Sequence, residues 1–409
     1  MAIRTPLFTN TQATDSDDFL FGSRSPDTIE GGAGADIIYG LGGSDDLIGG
    51  INDDEIHGGS GHDLIYGESG DDVLYGNDGS DSFNGGTGDD IIFGGGENDS
   101  GFGGRGNDRI YGGDNDDSFF WEDGDGSDIV DGGTGRDALT VRGSDTGGAS
   151  SFDGEIFLLT ANNTETGGTP GDQFPLATGA LLQRTNETPF QIQLSTLELL
   201  EVSGGGGADT LIVNDLSGSG IERVVFSGGA GSERLIAGTS STPFLVNGDD
   251  GSDFIVAGSG NDVINGGARG DRINGNGGDD IINGDDGDDT LQGGAGNDTI
   301  TGGPGGDQLI GGAGDDILNA DQGFEQIRFD FPTSGNDIVN GFSSLSSDDL
   351  FLAGIGRDLV DSDSNGIVND DDNLAALTDG NLVLQFDADN SITLNGISRL
   401  TIGDDLFFI

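Results

Sequence analysis

An apolar side chain returns every ninth residue along much of this chain, with polar residues and glycines between. The first run is Leu20, Ile29, Ile38, Leu47, Ile56, Ile65, Leu74, Phe83, Ile92, Gly101, Ile110 and Phe119, broken only at Gly101. The second is Ile255, Ile264, Ile273, Ile282, Leu291, Ile300, Leu309, Leu318 and Ile327, all Ile or Leu. One inward position between two outward neighbours is the signature of a short strand, and the glycine-rich six residues that follow predict a turn. No apolar run is long enough for a membrane helix. A fixed short period marks a solenoid, because each unit needs its neighbours to bury its apolar face. With two nonapeptides to a coil, residues eighteen apart stack at the strand spacing of about 4.7–4.9 Å.

The period fails over 138–247, where short strand-like runs remain at 156–160, 190–194, 197–202, 211–213, 221–226 and 244–246. The polar stretch 160–179, rich in Gly and Thr, is read as a long loop. Gly204 to Asp209 and Gly228 to Glu233 are degenerate forms of the same turn, so the solenoid is expected to resume there. Beyond Phe329 the pattern shifts to alternating strands, as at 382–386 and 391–397. The expected organisation is an N-terminal segment (1–17), a first array (18–137), a β-rich insert (138–247), a second array (248–328) and a C-terminal β cap (329–409).

Two residues before each inward position stands an acid. The first ladder runs through Asp18, Asp27, Asp36, Asp45, Asp54, Asp63, Asp72, Asp81, Asp90, Asp99, Asp108 and Asp117, then slips by two residues to Asp128 and Asp137. The second runs through Asp253, Asp262, Asp271, Asp280, Asp289, Asp298, Asp307 and Asp316 to Glu325. This pattern changes the meaning of the composition. With 75 acidic and 14 basic residues among 409, a net charge of −61 and 82 glycines, the totals alone describe a solvated acidic coil. Every basic residue is Arg, and no basic footprint exists for nucleic acid or for an anionic membrane surface. Cysteine is absent, which excludes disulfides and thiolate metal sites. Resolved by position, the acids become a ladder of oxygen ligands beside glycine turns that leave backbone carbonyls free. An all-oxygen set suits Ca²⁺, with six to eight ligands, and does not suit Zn²⁺.

The repeating unit is G-G-x-G-x-D-x-U-x, fullest in Gly31-Gly32-Ala33-Gly34-Ala35-Asp36 and Gly58-Gly59-Ser60-Gly61-His62-Asp63. It resembles the RTX (repeats-in-toxin) calcium-binding family. The resemblance implies an all-β fold, a right-handed parallel β-roll in two arrays, with Ca²⁺ between successive turns. It carries metal ligation to the aspartates from Asp36 to Asp137 and from Asp253 to Asp316. Sharing each ion between turns eighteen residues apart gives ~17 ions, enough to neutralise roughly 34 of the excess negatives. Without metal the aligned carboxylates repel and each coil buries too little to offset its ordering entropy, so folding is expected to be coupled to Ca²⁺. Asp18 has no glycines before it, and Gly22-Ser23-Arg24-Ser25-Pro26-Asp27 places Arg and Pro in the turn. The Asp99 turn is followed by Gly101. These are expected to be capping or weak coils. A separate stretch, 361–372, resembles an EF-hand loop, which implies Asp361, Asp363, Asn365, Ile367 through its carbonyl, Asn369 and Asp372 as ligands; Asp372 stands where Glu is usual, as in dockerin-type loops.

The last position of each nonapeptide should stack Phe21, Tyr39, His57, Tyr75, Phe93 and Tyr111 on one face and Glu30, Ile48, Tyr66, Asn84, Phe102 and Phe120 on the other. The second array shows Asn265, Asn283, Thr301 and Asn319 instead. The aromatic strip either holds a polysaccharide or cell-surface partner or stabilises its own sheet by cross-strand stacking. Enzymatic signals are poor: His57 and His62 are the only histidines, and neither H-E-x-x-H nor G-x-S-x-G occurs. The segments 336–342, 348–352, 392–396 and 404–409 resemble the cap that follows RTX arrays in serralysin-like proteins. The closing acidic-then-hydrophobic run resembles the uncleaved signal read by type I secretion machinery, and residues 1–10 lack the apolar core of a cleavable leader. The expectation is a calcium-binding structural or cell-surface protein, extracellular and exported without a cleaved N-terminal signal. The alternative is a secreted glycosidase, lyase or carbohydrate-binding protein whose active part is the insert.

Overall fold

The computed structural model describes residues 2–3, 11–12, 15–122, 125–142, 156–161, 180–184, 190–330, 335–343, 348–353, 367–368, 375–386, 390–401 and 406–408. Every element among them is a β-strand, and no helix is long and apolar enough to cross a membrane. The fold is a parallel β-solenoid, carried by two compact units. One comprises Met1–Thr146, Glu155–Ser203 and Leu216–Val225; the other comprises Gly147–Gly154, Gly204–Asp215 and Phe226–Ile409.

In the first unit, strands pair in parallel with those one coil away and form two columns. Leu20 faces Ile38, which faces Ile56, then Leu74, Ile92, Ile110 and Val130. The second column stacks Ile29, Leu47, Ile65, Phe83, Gly101, Phe119, Leu139 and Leu200. Their apolar members are all buried, at 4 % exposure or less. The strands outrun the three residues that periodicity predicts: Thr28–Ala33 is typical, since pairing continues into the turn glycines, where Gly32 meets Gly50. Gly101 does not hollow its coil. Phe83 and Phe119, larger than the usual Ile or Leu, pack above and below, and a Cβ on Gly101 would stand 2.9 Å from that of Phe83.

The two-residue slip is absorbed between Asp108 and Asp128, leaving Ile110 opposite Val130. After Arg142 the chain leaves the coil. Ile156–Ala161, Ala180–Arg184 and Phe190–Ser195 pair antiparallel in sequence, and the last of these rejoins the column with Leu194 opposite Val130. Of the stretch 160–179, read as a loop, Thr160 and Ala161 instead close the strand Ile156–Ala161, and residues 162–179 lie outside the described residues.

The second unit repeats the scheme. One column passes through Leu211, Leu235, Ile255, Ile273, Leu291, Leu309, Ile327, Leu350 and Leu406. The other passes through Val246, Ile264, Ile282, Ile300, Leu318, Val339 and Leu394. All are buried. The column closes with two antiparallel strands, Asn381–Gln385 and Ala375–Thr378. The terminal strand Leu406–Phe408 pairs in parallel with Asp349–Ala353.

Candidate metal centre

Each turn returns its aspartate to the coil interior beside the strand that follows. All twenty aspartates expected from Asp36 to Asp137 and from Asp253 to Asp316 are buried, none more than 4 % exposed. Their first carboxylate oxygen is used by the protein. Asp36 N–H donates to Asp54 Oδ1 at 2.7 Å, Asp54 N–H to Asp72 at 2.7 Å, Asp72 to Asp90 and Asp90 to Asp108 at 2.8 Å. The other edge runs Asp45, Asp63, Asp81, Asp99, Asp117 and Asp137 in the same way. The second unit carries two matching ladders: Asp253, Asp271, Asp289 and Asp307 on one edge, and Asp262, Asp280, Asp298 and Asp316 on the other.

The second oxygen is different. In all twenty except Asp128 and Asp262, Oδ2 is buried with no hydrogen-bond partner. It faces the first glycine of its own turn and, in most turns, a carbonyl of the next coil. A methyl group placed on Gly31 would stand 2.6 Å from Asp36 Oδ2 and 2.5 Å from the carbonyl oxygen of Gly49, and the same two kinds of oxygen meet at Gly40, Gly58, Gly67, Gly248 and Gly275. Glycine leaves this space open, since in these turns a side chain would run into both oxygens. A bare carboxylate oxygen and a carbonyl oxygen, brought together out of water with no donor between them, is an arrangement that a bound cation or a proton relieves.

The electrostatics agree. Burial pushes the carboxyls of Asp90, Asp99 and Asp128 up to about 8. It pushes those of Asp54, Asp81, Asp108, Asp280 and Asp316 to about 7 and those of Asp45, Asp72 and Asp298 to about 6. The amide bond from the preceding coil pulls each value down, and neighbouring carboxylates, chiefly the ladder's own rungs, raise most of them further. Among the described residues no three His, Asp or Glu side chains gather into a cluster. The donors are therefore isolated carboxylates and main-chain carbonyls, a hard all-oxygen set.

Several rungs escaped the nine-residue rule. Asp209 and Glu233 are buried, and Glu233 N–H donates to Asp253 Oδ1 at 2.7 Å. Asp137 N–H donates to Glu198 Oε2 at 2.7 Å across the looped-out insert. Asp316 and Glu325 likewise donate to Asp337 and Asp348, at 3.0 and 3.4 Å. The coils leading to these acids hold more than eighteen residues, which hides them from a strict period; only the degenerate glycine turns at 204 and 228 could signal them. Burial and the adjoining carboxylates raise Glu233 and Glu325 as well. The Asp99 turn, expected to be weak, keeps its ladder bonds on both sides at 2.8 Å. Of the EF-hand-like loop, Ile367–Val368 forms a short strand antiparallel to Leu400–Thr401; Asp361, Asp363, Asn365, Asn369 and Asp372 lie outside the described residues.

On the outer face the predicted aromatic column is a continuous stack. Phe21, Tyr39, His57, Tyr75, Phe93 and Tyr111 follow one another with ring centroids 4.5–5.3 Å apart and planes within 11° of parallel. His57 Nε2 also meets Glu55 Oε1 at 2.8 Å. In the second unit the corresponding feature is an amide ladder: Asn283 donates to Asn265 at 2.8 Å and Asn265 to Asn247 at 2.9 Å.

The profile of the RTX calcium-binding nonapeptide repeat (four copies) matches in overlapping copies over residues 12–120, again at 122–140, and over 247–324. No curated protein matches the chain. With about half its length covered by that repeat and each matched turn folded into the same stacked coil, the chain belongs to the RTX calcium-binding nonapeptide repeat family.

Proposed function

We propose that this is an extracellular calcium-binding structural protein whose solenoid orders when Ca²⁺ fills its turns. The observation that carries the reading is the row of buried Oδ2 atoms without partners, most of them beside a carbonyl of the next coil. Calcium supplies two positive charges and an oxygen shell of flexible geometry. Ligation is assigned to the aspartates of that row: Asp36 through Asp117, Asp137, Asp253, Asp271, Asp280, Asp289, Asp298, Asp307 and Asp316. Their Oδ1 holds the preceding coil's amide while Oδ2 is left for the ion. The spacing of 361–372 adds a separate calcium loop.

Two further points support a structural role. The rings of the aromatic column cover one another's faces and turn their edges outward, so a sugar ring has no free face to stack on, and the column serves cohesion of its own sheet. The net charge of −61 suits a chain kept extended where calcium is scarce and ordered where it is abundant, as export into a calcium-rich exterior requires. Type I secretion is the route that the acidic, hydrophobic C-terminal run suggests; the strand Leu406–Phe408 also completes a sheet edge. Far-ultraviolet circular dichroism during parallel Ca²⁺ and Mg²⁺ titrations tests the reading. A β signal that rises cooperatively with Ca²⁺ and far less with Mg²⁺ is expected. Full signal in chelator would overturn it.

A further inference from the structure

We infer that three rungs, at Asp27, Asp262 and Asp348, are closed by a main-chain amide and take no ion, and that Ala257 is the residue that closes the rung at Asp262. The inference rests on the calcium reading above and departs from the regular repeat, in which every aspartate is equivalent. In these three, a main-chain amide takes the oxygen that most other turns leave bare. Asp27 Oδ2 accepts the Ser23 N–H at 2.5 Å, Asp262 Oδ2 accepts the Gly258 N–H at 3.3 Å, and Asp348 Oδ2 accepts the Ser343 N–H at 2.7 Å. Two of the three carboxylates still accept their ladder bond: Phe244 N–H donates to Asp262 Oδ1 at 2.8 Å and Glu325 N–H to Asp348 Oδ1 at 3.4 Å.

The cause is clearest at Asp262. Its turn reads Ala257-Gly258-Ser259-Gly260-Asn261-Asp262, with alanine where other turns of this unit, such as those at Gly248, Gly266 and Gly275, have glycine. In those turns an added methyl would run into both the bare Oδ2 and the carbonyl of the next coil. Ala257 carries that methyl, fully buried, so the space between the two oxygens is filled and the Gly258 amide approaches the carboxylate instead. One coil earlier on the same edge the pattern is the same without an acid. Ala237 and Ser240 are fully buried, and Thr242 N–H donates to Ser240 Oγ at 3.3 Å. Two successive turns of this edge thus satisfy their polar groups from within the chain, and the calcium ladder of Asp280, Asp298 and Asp316 begins on a coil that needs no ion. Such a coil is a template on which the metal-dependent ones can order.

The test counts bound calcium on the full-length chain by equilibrium dialysis with elemental analysis, and follows the calcium midpoint by circular dichroism. Asp262→Asn keeps the Oδ1 acceptor and should leave both the count and the midpoint unchanged, as should Asp27→Asn. Asp280→Asn should remove at least one ion and shift the midpoint to higher calcium. Ala257→Gly should add one ion. Loss of calcium in Asp262→Asn comparable to that in Asp280→Asn overturns the closed rung. No gain in Ala257→Gly, with Asp262→Asn silent, overturns the part assigned to Ala257. If Asp280→Asn is also silent, the calcium reading itself fails.

Discussion

At the scale of the residue, the aspartate of most turns does two incompatible things. Oδ1 serves as a neutral structural acceptor, while Oδ2 sits in a dry space that penalises its charge. In the unfolded chain carboxyls of this kind titrate at ~3.9; in the folded one burial raises them, to about 6 at Asp45, about 7 at Asp54 and about 8 at Asp90. Folded values above unfolded ones mean that, without metal, the ionised form is disfavoured by folding. The stability of the metal-free coil is then greatest below about pH 4 and is lost as pH rises through 6 to 8. In excess chelator the β signal should therefore grow as pH falls from 8 to 4, as protons stand in for ions; a pH-independent spectrum would contradict this. The acid ladder was legible in sequence because the coil length is constant over most of each array. Glu198, Asp337 and Asp348 were not, because extra residues looped out of a coil change the count without changing the register. The distinction between Asp262 and its neighbours depended on a single methyl group whose meaning appears only with the next coil in place.

At the scale of the element, the strands are held on their outer faces by like-on-like columns. In the first unit this is a run of six stacked rings with Glu55 paired to His57; in the second it is a chain of asparagine amides. The nine-residue period located both columns from sequence, but their geometry decides their role. Rings separated by one strand spacing stack face to face, which supports the cohesive reading of the strip over the binding one. Replacing Tyr39, Tyr75 and Phe93 together by Ser breaks all five ring contacts, each worth about 0.5–1.5 kcal/mol. The variant should need several-fold more calcium to reach half its β signal and should melt at lower temperature. An unchanged midpoint and melting temperature would place the column outside the stabilising framework.

At the scale of the whole molecule, the charge and the core oppose one another. Each coil buries two apolar side chains, too little to outweigh the ordering entropy of about eighteen residues by itself. On the proposed function, continuous columns supply enough cohesion once the carboxylates between coils are neutralised. The composition, read alone, describes an acidic disordered chain, and the periodicity describes an ordered one; on the proposed function, calcium selects between them. The central claim is thus conditional order, and small-angle scattering on the full chain measures it most directly. In excess chelator at neutral pH the radius of gyration should approach or exceed about 74 Å, the value for an unfolded chain of this length. Saturating Ca²⁺ should contract it sharply and reversibly. A compact particle in chelator, unchanged by added calcium, would contradict the account.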